Sequence, residues 1–313
     1  MSQKPKTPIK EGFVSFRGFK TWYRMVGDKE EPGKLPLICL HGGPGATWDY
    51  LEPLEGIALT GRRVIFYDQL GSGNSDEPHN PSMYTIELYV EELDVVRRAL
   101  GLKRVNILGQ SWGGMLALEY ALTQPEGLAG LILADTAASL PDWAREAQRL
   151  VAELPLEVQQ TLQQHLEAGT TKSAEYRAAY EVFSQRHILS LEPKPDCWTR
   201  RVNKPGGEVY ETMWGPSEVH ITGTLKDWDI TGRLGELNFP TLVLCGRNDE
   251  ATPFLSETLH RGIHDSELVI FENSEHIPHI SETERYMQVL DAFLTRVETN
   301  LDQNPPSNLI FDT

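Results

Sequence analysis

Cysteine is scarce in this chain, which has 3 such residues among 313: Cys39, Cys197 and Cys245. Their number is odd and no two form a C-x-x-C pair, so the pattern favours reduced, buried thiols over a disulfide framework. We therefore expect a cytoplasmic protein. Residues 1–6 carry no apolar run after their lysines, so no signal peptide is predicted.

Long apolar runs and positive charge are also lacking. No stretch approaches the ~18 apolar residues of a membrane span. Acidic residues outnumber basic ones by 45 to 29, and the net charge of −16 argues against electrostatic binding of nucleic acid or of anionic membranes. No His-Glu-x-x-His motif occurs and the 9 histidines are scattered, so no metal site is expected.

The most informative stretch that is present is Gly-Gln-Ser-Trp-Gly at 109–113, after an apolar run at 105–108. The run predicts a strand and the residues after it a helix, so Ser111 is expected on a sharp strand-to-helix turn. Free N–H groups at a helix N-terminus favour developing negative charge. The stretch therefore indicates a serine nucleophile, with a plain turn as the alternative.

Candidates for the acid and the base follow in the order serine, acid, histidine that is typical of such hydrolases. Asp249 comes just after a buried strand predicted at 241–246, where a carboxylate could orient an imidazole. His276 lies in the loop after a further strand at 267–271 and is the expected general base. His279 is its main rival, which we expect on the following helical turn or near the pocket rim.

A second glycine-rich turn, His-Gly-Gly-Pro-Gly at 41–45, follows the strand predicted at 37–40. Such a turn lets the backbone approach a substrate closely. We expect the N–H groups of Gly43 and Trp112 to bind an oxyanion, whereas Pro44 has no N–H and stiffens the loop. A phosphate-binding loop is disfavoured because no Gly-Lys-Ser/Thr or Gly-x-Gly-x-x-Gly sequence follows, and a mere tight turn is the other alternative.

These two motifs, with Asp-Gln-Leu-Gly-Ser-Gly-Asn-Ser at 68–75, resemble the proline iminopeptidase family of α/β-hydrolases. The resemblance spans nearly the whole chain and is greatest for the branch of tricorn-associated aminopeptidases and L-amino acid amidases. It implies a serine aminopeptidase, with Ser111 as nucleophile, Asp249 as orienting acid and His276 as base. Such an enzyme releases an N-terminal proline or another small L-amino acid from peptides, amides or arylamides through an acyl-enzyme. This route needs no cofactor.

An aminopeptidase must also hold the charged amine of its substrate, because a buried ammonium is costly unless it is paired. The resemblance implies that Glu218 and Glu250 supply the carboxylates. The alternative is that both are solvated surface groups, as most glutamates are. The chain departs from the family in lacking a Trp-x-x-Trp-Glu run found in another branch and in carrying Val219 and His220 after Glu218. The shape of the pocket for the first side chain is therefore open.

Strands alternate with helices from residue 13 to 137, which predicts a mostly parallel sheet with helices on both faces. The resemblance implies the α/β-hydrolase fold. We expect residues 1–137 and 237–300 to form its core, residues 138–236 an inserted helical cap, and residues 301–313 a C-terminal tail. Ligands of such sheets bind beyond the carboxyl ends of the strands, where the motif residues named above are placed.

Two other interpretations stay open at this point. A serine esterase, amidase or lactonase without an amine requirement would share the triad but accept substrates whose amine is blocked. A non-catalytic binding protein on this fold is a further alternative, since fold and motif do not fix function. For the favoured interpretation the partner is a small peptide or amino-acid amide, not nucleic acid or membrane.

Overall fold

A central sheet of eight strands organises the protein, in a computed structural model that describes residues 7–201, 204 and 206–303. The strands of this described part are, in chain order, β1 (Ile9–Phe16), β2 (Phe19–Val26), β3 (Leu37–Leu40), β4 (Val64–Tyr67), β5 (Val105–Gln110), β6 (Leu128–Ala134), β7 (Thr241–Gly246) and β8 (Ser266–Phe271). Across the sheet they lie in the order β1-β2-β4-β3-β5-β6-β7-β8.

One strand of this sheet runs against the others. β2 pairs antiparallel with both of its neighbours, β1 and β4. From β4 onward every pairing is parallel. The carboxyl ends of β3, β5, β6 and β7 therefore meet at one edge of the sheet, and the mostly parallel α/β architecture predicted from the sequence is confirmed.

Side chains of the strands alternate between two hydrophobic cores, one on each face of the sheet. In β3, Ile38 and Leu40 belong to one core, whereas Leu37 and Cys39 belong to the other. This is the period of two that the pleated strand imposes. Because both faces are covered, the inner strands carry near-continuous apolar runs instead of an alternating pattern.

Helices cover both faces. On the side of Ile38 lie α1 (Ile86–Ala99), α2 (Trp112–Leu122) and α8 (Pro253–Gly262). On the opposite side lie α10 (Thr283–Gln303), preceded by the short α9 (Pro278–Ser281), and the 3₁₀ segment Trp48–Thr60. The loops that carry the predicted site residues emerge between these two helical layers, at the carboxyl edge of the sheet.

Among the described residues between β6 and β7, the regular elements are helices and none is a strand of the sheet. The helices include α3 (Leu140–Ala152), α4 (Leu156–Glu167), α5 (Ala174–His187), α6 (Asp196–Arg200) and α7 (Gly207–Met213). Prolines set two of the starts, because Pro155 directly precedes α4 and Pro195 directly precedes α6, where the missing N–H costs no helical hydrogen bond. The sheet resumes at Thr241, the residue predicted from the sequence.

The last helix is longer than expected. α10 runs through Gln303, so residues 301–303 are helical and do not form part of a tail. Leu301 packs against the core on the α10 side, which explains why the helix continues. Residues 304–313 of the predicted tail lie outside the described residues. No helix of the described part is both long and apolar enough to cross a membrane.

Candidate active site

Ser111 is held in an unusual backbone conformation between β5 and α2. Its φ is 57° and its ψ is −126°, in the region that L-residues rarely adopt. Its N–H donates to the Ala134 carbonyl at 2.9 Å, and the Thr136 hydroxyl donates to its carbonyl at 2.8 Å. A side chain at Gly109 would collide with the Gly113 carbonyl. The glycines of the motif are therefore what allows the turn to close.

The turn presents Ser111 to a cavity of about 400 Å³. Only 7% of the Ser111 residue is exposed, so the cavity is its access to solvent. The cavity is also lined by His276, Glu250 and Glu218, and by Gly43, Pro44 and Gly45 of the glycine loop after β3. An aromatic wall comes from the helices before β7 and consists of Tyr180, Trp198 and Tyr210. The structure thus brings five of the predicted site residues from distant parts of the sequence into one cleft, whereas Asp249 and Trp112 do not line it.

Asp249 and His276 form a short, buried contact. Oδ1 of Asp249 lies 2.6 Å from Nδ1 of His276, and the same oxygen accepts a hydrogen bond from the Ala251 N–H at 2.8 Å. Close approach of two loops creates the pair. A side chain at Gly246 would collide with the Glu275 carbonyl, so glycine at the end of β7 lets the two loops touch.

The contact between the serine and the histidine is not closed in this structure. Among the hydrogen bonds of the described residues, none involves the Ser111 hydroxyl, although Ser111 and His276 line the same cavity. Catalytic hydrogen bonds are often long in the absence of substrate and tighten in the complex. The Trp143 ring lies edge-on to the His276 imidazole, with ring centroids 6.0 Å apart, and limits how far that ring can tilt.

His279, the rival of His276, has a different environment. It lies on the short helix α9, as expected, but it is fully buried and does not line the cavity. Its Nε2 lies 3.0 Å from the Tyr50 carbonyl oxygen. Burial lowers the pKa of His279 to about 4, so the ring is neutral at physiological pH. His279 packs the 3₁₀ segment against α9 and has no route to substrate.

The glycine loop after β3 lies directly against the serine turn. A side chain at Gly42 would place its Cβ 2.8 Å from the Ser111 Cβ. Gly43 has a φ of 109°, which favours glycine, and it lines the cavity. No backbone carbonyl of the described residues accepts a hydrogen bond from the N–H of Gly43 or of Trp112. Both donors are therefore free to bind a ligand oxygen.

A side-chain network that the sequence analysis missed joins the loops of the site. The Tyr50 hydroxyl accepts a hydrogen bond from the Gly42 N–H at 2.6 Å and donates one to Gln110 Oε1 at 2.6 Å. Gln110 Nε2 in turn donates to the His276 carbonyl at 3.1 Å. The network fixes the glycine loop, the serine turn and the histidine loop relative to one another.

A parallel connection runs through Gln69. Its side-chain oxygen accepts a hydrogen bond from Trp112 Nε1 at 2.8 Å, and its side-chain nitrogen donates to the His41 carbonyl at 2.9 Å. The Gln69 N–H donates to His41 Nε2 at 2.9 Å, which requires that nitrogen to be unprotonated. Burial lowers the pKa of His41 to about 4, in agreement with this neutral ring. Gln69 belongs to the 68–75 motif, which was the available clue.

Glu218 and Glu250 lie together in the cavity, which Arg201 and His276 also line. Burial raises the pKa of Glu218 to about 7, against the opposing effects of the Tyr210 hydroxyl and of the charges of His276 and Arg201. Burial, and then the charge of Glu218, raise the pKa of Glu250 well above its ordinary value. Oε2 of Glu250 has no hydrogen-bond partner in the described residues. Two neighbouring carboxyl groups, one of which has an unsatisfied oxygen, are suited to receive a cation.

The aromatic wall carries a positive charge that the sequence analysis did not single out. The Arg201 guanidinium stacks over the Trp198 ring at 3.6 Å from its centroid, and both residues line the cavity. Of the other tryptophans between β6 and β7, Trp214 is buried against Trp143, and Trp228 donates a hydrogen bond to Glu119 at 2.7 Å. No cluster of three or more potential metal ligands occurs in residues 7–201, 204 and 206–303.

Comparison with known proteins identifies the family. The model of the α/β hydrolase fold family matches residues 36–283. The proline iminopeptidase of Clostridioides difficile is 40% identical over 289 residues, which cover 91% of this chain and 98% of that protein. The proline iminopeptidase of Saccharolobus solfataricus is 37% identical, with coverage of 92% and 93%.

Two solved structures agree with this result. The crystal structure of VinJ has a TM-score of 0.88 at 40% identity, covering 92% of this chain and 99% of that one. The crystal structure of the Mycobacterium smegmatis proline iminopeptidase has a TM-score of 0.86 at 36% identity, covering 93% and 99%. The fold and the resemblance inferred from the sequence motifs are thereby confirmed, and this chain belongs to the proline iminopeptidase family of α/β hydrolases.

Proposed function

We propose that the protein is a serine aminopeptidase that releases an N-terminal proline, or another small L-amino acid, from peptides, amides or arylamides. One observation carries this proposal beyond a general serine hydrolase. Glu218 and Glu250, two neighbouring carboxyl groups, line the same cavity as Ser111 and His276, and His276 is paired with Asp249.

The first chemical step is attack of Ser111 Oγ on the scissile carbonyl. His276 Nε2 takes the serine proton and later delivers it to the leaving amine. Asp249 keeps the other ring nitrogen, Nδ1, protonated through its 2.6 Å contact and stabilises the imidazolium that forms. Water then attacks the acyl-enzyme with His276 as the base again, which releases the free amino acid and restores the serine.

The tetrahedral intermediate carries a negative oxygen, for which the Gly43 and Trp112 N–H groups are the proposed donors. Both are free of backbone acceptors, and both belong to backbone that the Tyr50 and Gln69 networks hold in place. Donors that are already oriented need no reorganisation during the reaction. A single donor of this kind typically contributes roughly 3 kcal/mol to transition-state stabilisation.

The substrate amine is proposed to bind between Glu218 and Glu250. An ammonium there gains two charge-assisted hydrogen bonds and removes the repulsion between two neighbouring carboxylates. Oε1 of Glu250 lies 3.7 Å from His276 Nε2, so an amine bound to Glu250 lies close to the base that acts at the reacting carbonyl. Such proximity suits a substrate whose free amine is at the α position.

Residues 138–236 are proposed to act as a cap that closes the site. Tyr180 on α5, Trp198 on α6 and Tyr210 on α7 form the cavity wall opposite Ser111. An aromatic wall is suited to an apolar ring such as that of proline. We further propose a cytoplasmic setting, which the three unpaired, buried cysteines support.

The test is hydrolysis of arylamides of proline, alanine and phenylalanine, each supplied with a free and with an N-acetylated amine. We expect turnover of the free-amine compounds, best for proline, and loss of turnover on acetylation. Ser111→Ala is expected to abolish turnover, whereas Ser82→Ala, at an exposed serine that does not line the cavity, keeps it. Equal turnover of acetylated substrates contradicts the amine requirement and supports the esterase or amidase alternative. A wild-type enzyme whose Ser111 does not react with a serine-directed phosphonate contradicts both.

A further inference from the structure

Asp135 is a second buried aspartate at the carboxyl edge of the sheet, and the proposed reaction does not use it. It directly follows β6, which lies between the serine strand β5 and the acid strand β7. The residue is fully buried, and its φ of 52° is unusual for a residue other than glycine. Its N–H donates to the Leu244 carbonyl at 2.8 Å, which holds it against β7.

The carboxyl group of Asp135 contacts that of Asp249. The Gly246 N–H and the Gln110 side-chain amide also approach it. Neither oxygen of Asp135, however, meets the geometry of a hydrogen bond to a donor in the described residues, and the same is true of Asp249 Oδ2. The two buried carboxyl groups are in contact, and three of their four oxygens have no hydrogen-bond partner. Because no donor of the described residues satisfies these oxygens, at least one of the two groups must carry a proton.

No lysine, arginine or histidine is among the described groups that act most strongly on Asp135, and His276 is paired with Oδ1 of Asp249. The titratable groups facing Asp135 in the described residues are Asp249, Tyr50, Tyr286 and Cys245. Burial raises the pKa of Tyr50, Tyr286 and Cys245, so all three are neutral at physiological pH. Burial, and then the charge of Asp249, raise the pKa of Asp135 well above its ordinary value. Like charges in contact cannot both be ionised in such a site.

We propose that Asp135 is a positioning residue of the reaction: it stays protonated and donates that proton as a hydrogen bond to Oδ2 of Asp249. The bond satisfies the outer oxygen of the acid and leaves Oδ1 facing His276 Nδ1. It also keeps the net charge of the two aspartates at one, so the imidazolium formed during attack meets a single, oriented carboxylate. This inference rests on the proposed roles of Asp249 and His276.

The variant Asp135→Asn separates a neutral donor from a second anion. The asparagine amide can donate the same hydrogen bond without a charge, so we expect kcat within about twofold of wild type. We also expect an unchanged midpoint for the acid limb of the kcat/KM profile. If Asp135 is ionised, its replacement removes a negative charge near the imidazole. The acid limb then moves to lower pH by about one unit or more, which overturns the proposal. Asp265→Asn, an exposed aspartate, is the matched control.

A second variant and a spectrum complete the test. Asp135→Leu removes the donor, and we expect kcat to fall about tenfold to a hundredfold with a smaller change in KM. An Asp135→Leu enzyme with wild-type kcat and pH profile contradicts the proposal. The infrared difference spectrum of wild type minus Asp135→Asn, recorded without substrate at neutral pH, is expected to show the carbonyl stretch of a protonated carboxylic acid. Carboxylate bands there instead overturn the proposal whether or not Asp135→Leu folds. A wild-type enzyme without free-amine preference contradicts the proposed function and leaves this spectrum as an independent test.

Discussion

Oε1 of Glu250 lies 3.7 Å from Nε2 of His276, while the adjacent residue, Asp249, contacts the other nitrogen of the same ring. Consecutive residues of one loop thus face the two sides of a single imidazole. One side orients the ring and the other, in our proposal, binds the substrate amine. The position of the amine is therefore tied to the position of the base, without an intervening flexible element.

The first prediction concerns the pH dependence of substrate binding. The pKa of Glu218 is raised to about 7, and that of Glu250 is raised well above its ordinary value. Because only ionised carboxylates pair with an ammonium, binding should improve as the pH rises through 7. It should weaken again above about 8, where an α-amino group loses its proton. We expect KM for proline arylamide to pass through a minimum between these values. A KM that rises steadily from pH 6 to 8 contradicts the proposed amine site.

Removal of either carboxylate should weaken binding of the amine. Glu218→Gln or Glu250→Gln is expected to raise KM for proline arylamide about tenfold to a hundredfold, because the substituted residue can no longer form an ion pair with the ammonium. The companion substrate is cyclopentanecarbonyl arylamide, which lacks the amine, and its lower kcat/KM should change much less. Glu157→Gln, an exposed residue at the start of α4, serves as the control variant. Parallel losses on both substrates would indicate a structural role for the two glutamates.

Asp249→Asn should reduce kcat strongly while leaving KM close to wild type. The amide would favour the wrong tautomer of His276, and kcat losses of about 10⁴-fold are typical when such an acid becomes an amide. Single-turnover kinetics with proline arylamide measures the acylation step directly. The exposed aspartate Asp265 supplies the same substitution as a control. Retention of more than a tenth of wild-type kcat would exclude Asp249 as the orienting acid.

The serine turn should not tolerate a methyl group at position 109. Because the added Cβ of Gly109→Ala collides with the Gly113 carbonyl, we expect a destabilisation of about 3 kcal/mol or more. Gly232→Ala adds the same methyl group where no atom lies within 4 Å and should change stability by less than about 1 kcal/mol. Urea unfolding of both variants measures the difference. Similar midpoints for the two would show that the turn relaxes.

Acid should destabilise the fold partly through His279. Its folded pKa of about 4 lies below the ordinary value of 6.5, so the unfolded chain binds a proton that the folded chain does not. Stability from this group is complete above pH 6.5 and is lost as the pH falls toward 4, by at most about 3 kcal/mol. His279→Gln keeps a donor for the Tyr50 carbonyl and cannot titrate. Its unfolding free energy should therefore fall less than that of wild type between pH 7 and 4.5, and an equal fall contradicts the assignment.

The parts of the site that local sequence determines were predictable. Ser111, Asp249 and His276 each follow a short apolar strand, and parallel strands bring their carboxyl ends to one edge. The glycine motifs were informative because only glycine permits the close approaches now seen at Gly42 and Gly109. The start of β7 followed from its apolar run. The helical character of the chain before it followed from the lack of strand patterns after residue 137.

The residues that were missed act through contacts remote in sequence. Tyr50 contacts Gln110 across 60 residues, and Gln110 contacts the His276 loop across 166. No pattern in the sequence predicts such a pair, because each partner alone is an ordinary polar residue beside a strand or turn. Asp135 was missed for the same reason, since an aspartate after a strand predicts only a turn. Its importance depends on Asp249 lying beside it, which only the packing of β6 against β7 brings about.

The aromatic wall of the cavity comes from helices α5, α6 and α7, which occupy one continuous stretch of chain between β6 and β7. Ser111, Asp249 and His276 all lie outside that stretch, on loops of the sheet. Exchanging this segment for that of a relative would replace the surface that measures the substrate's first side chain while leaving the bond-breaking groups untouched. Preference for one amino acid over another is thus a trait that this architecture can revise in a single genetic event.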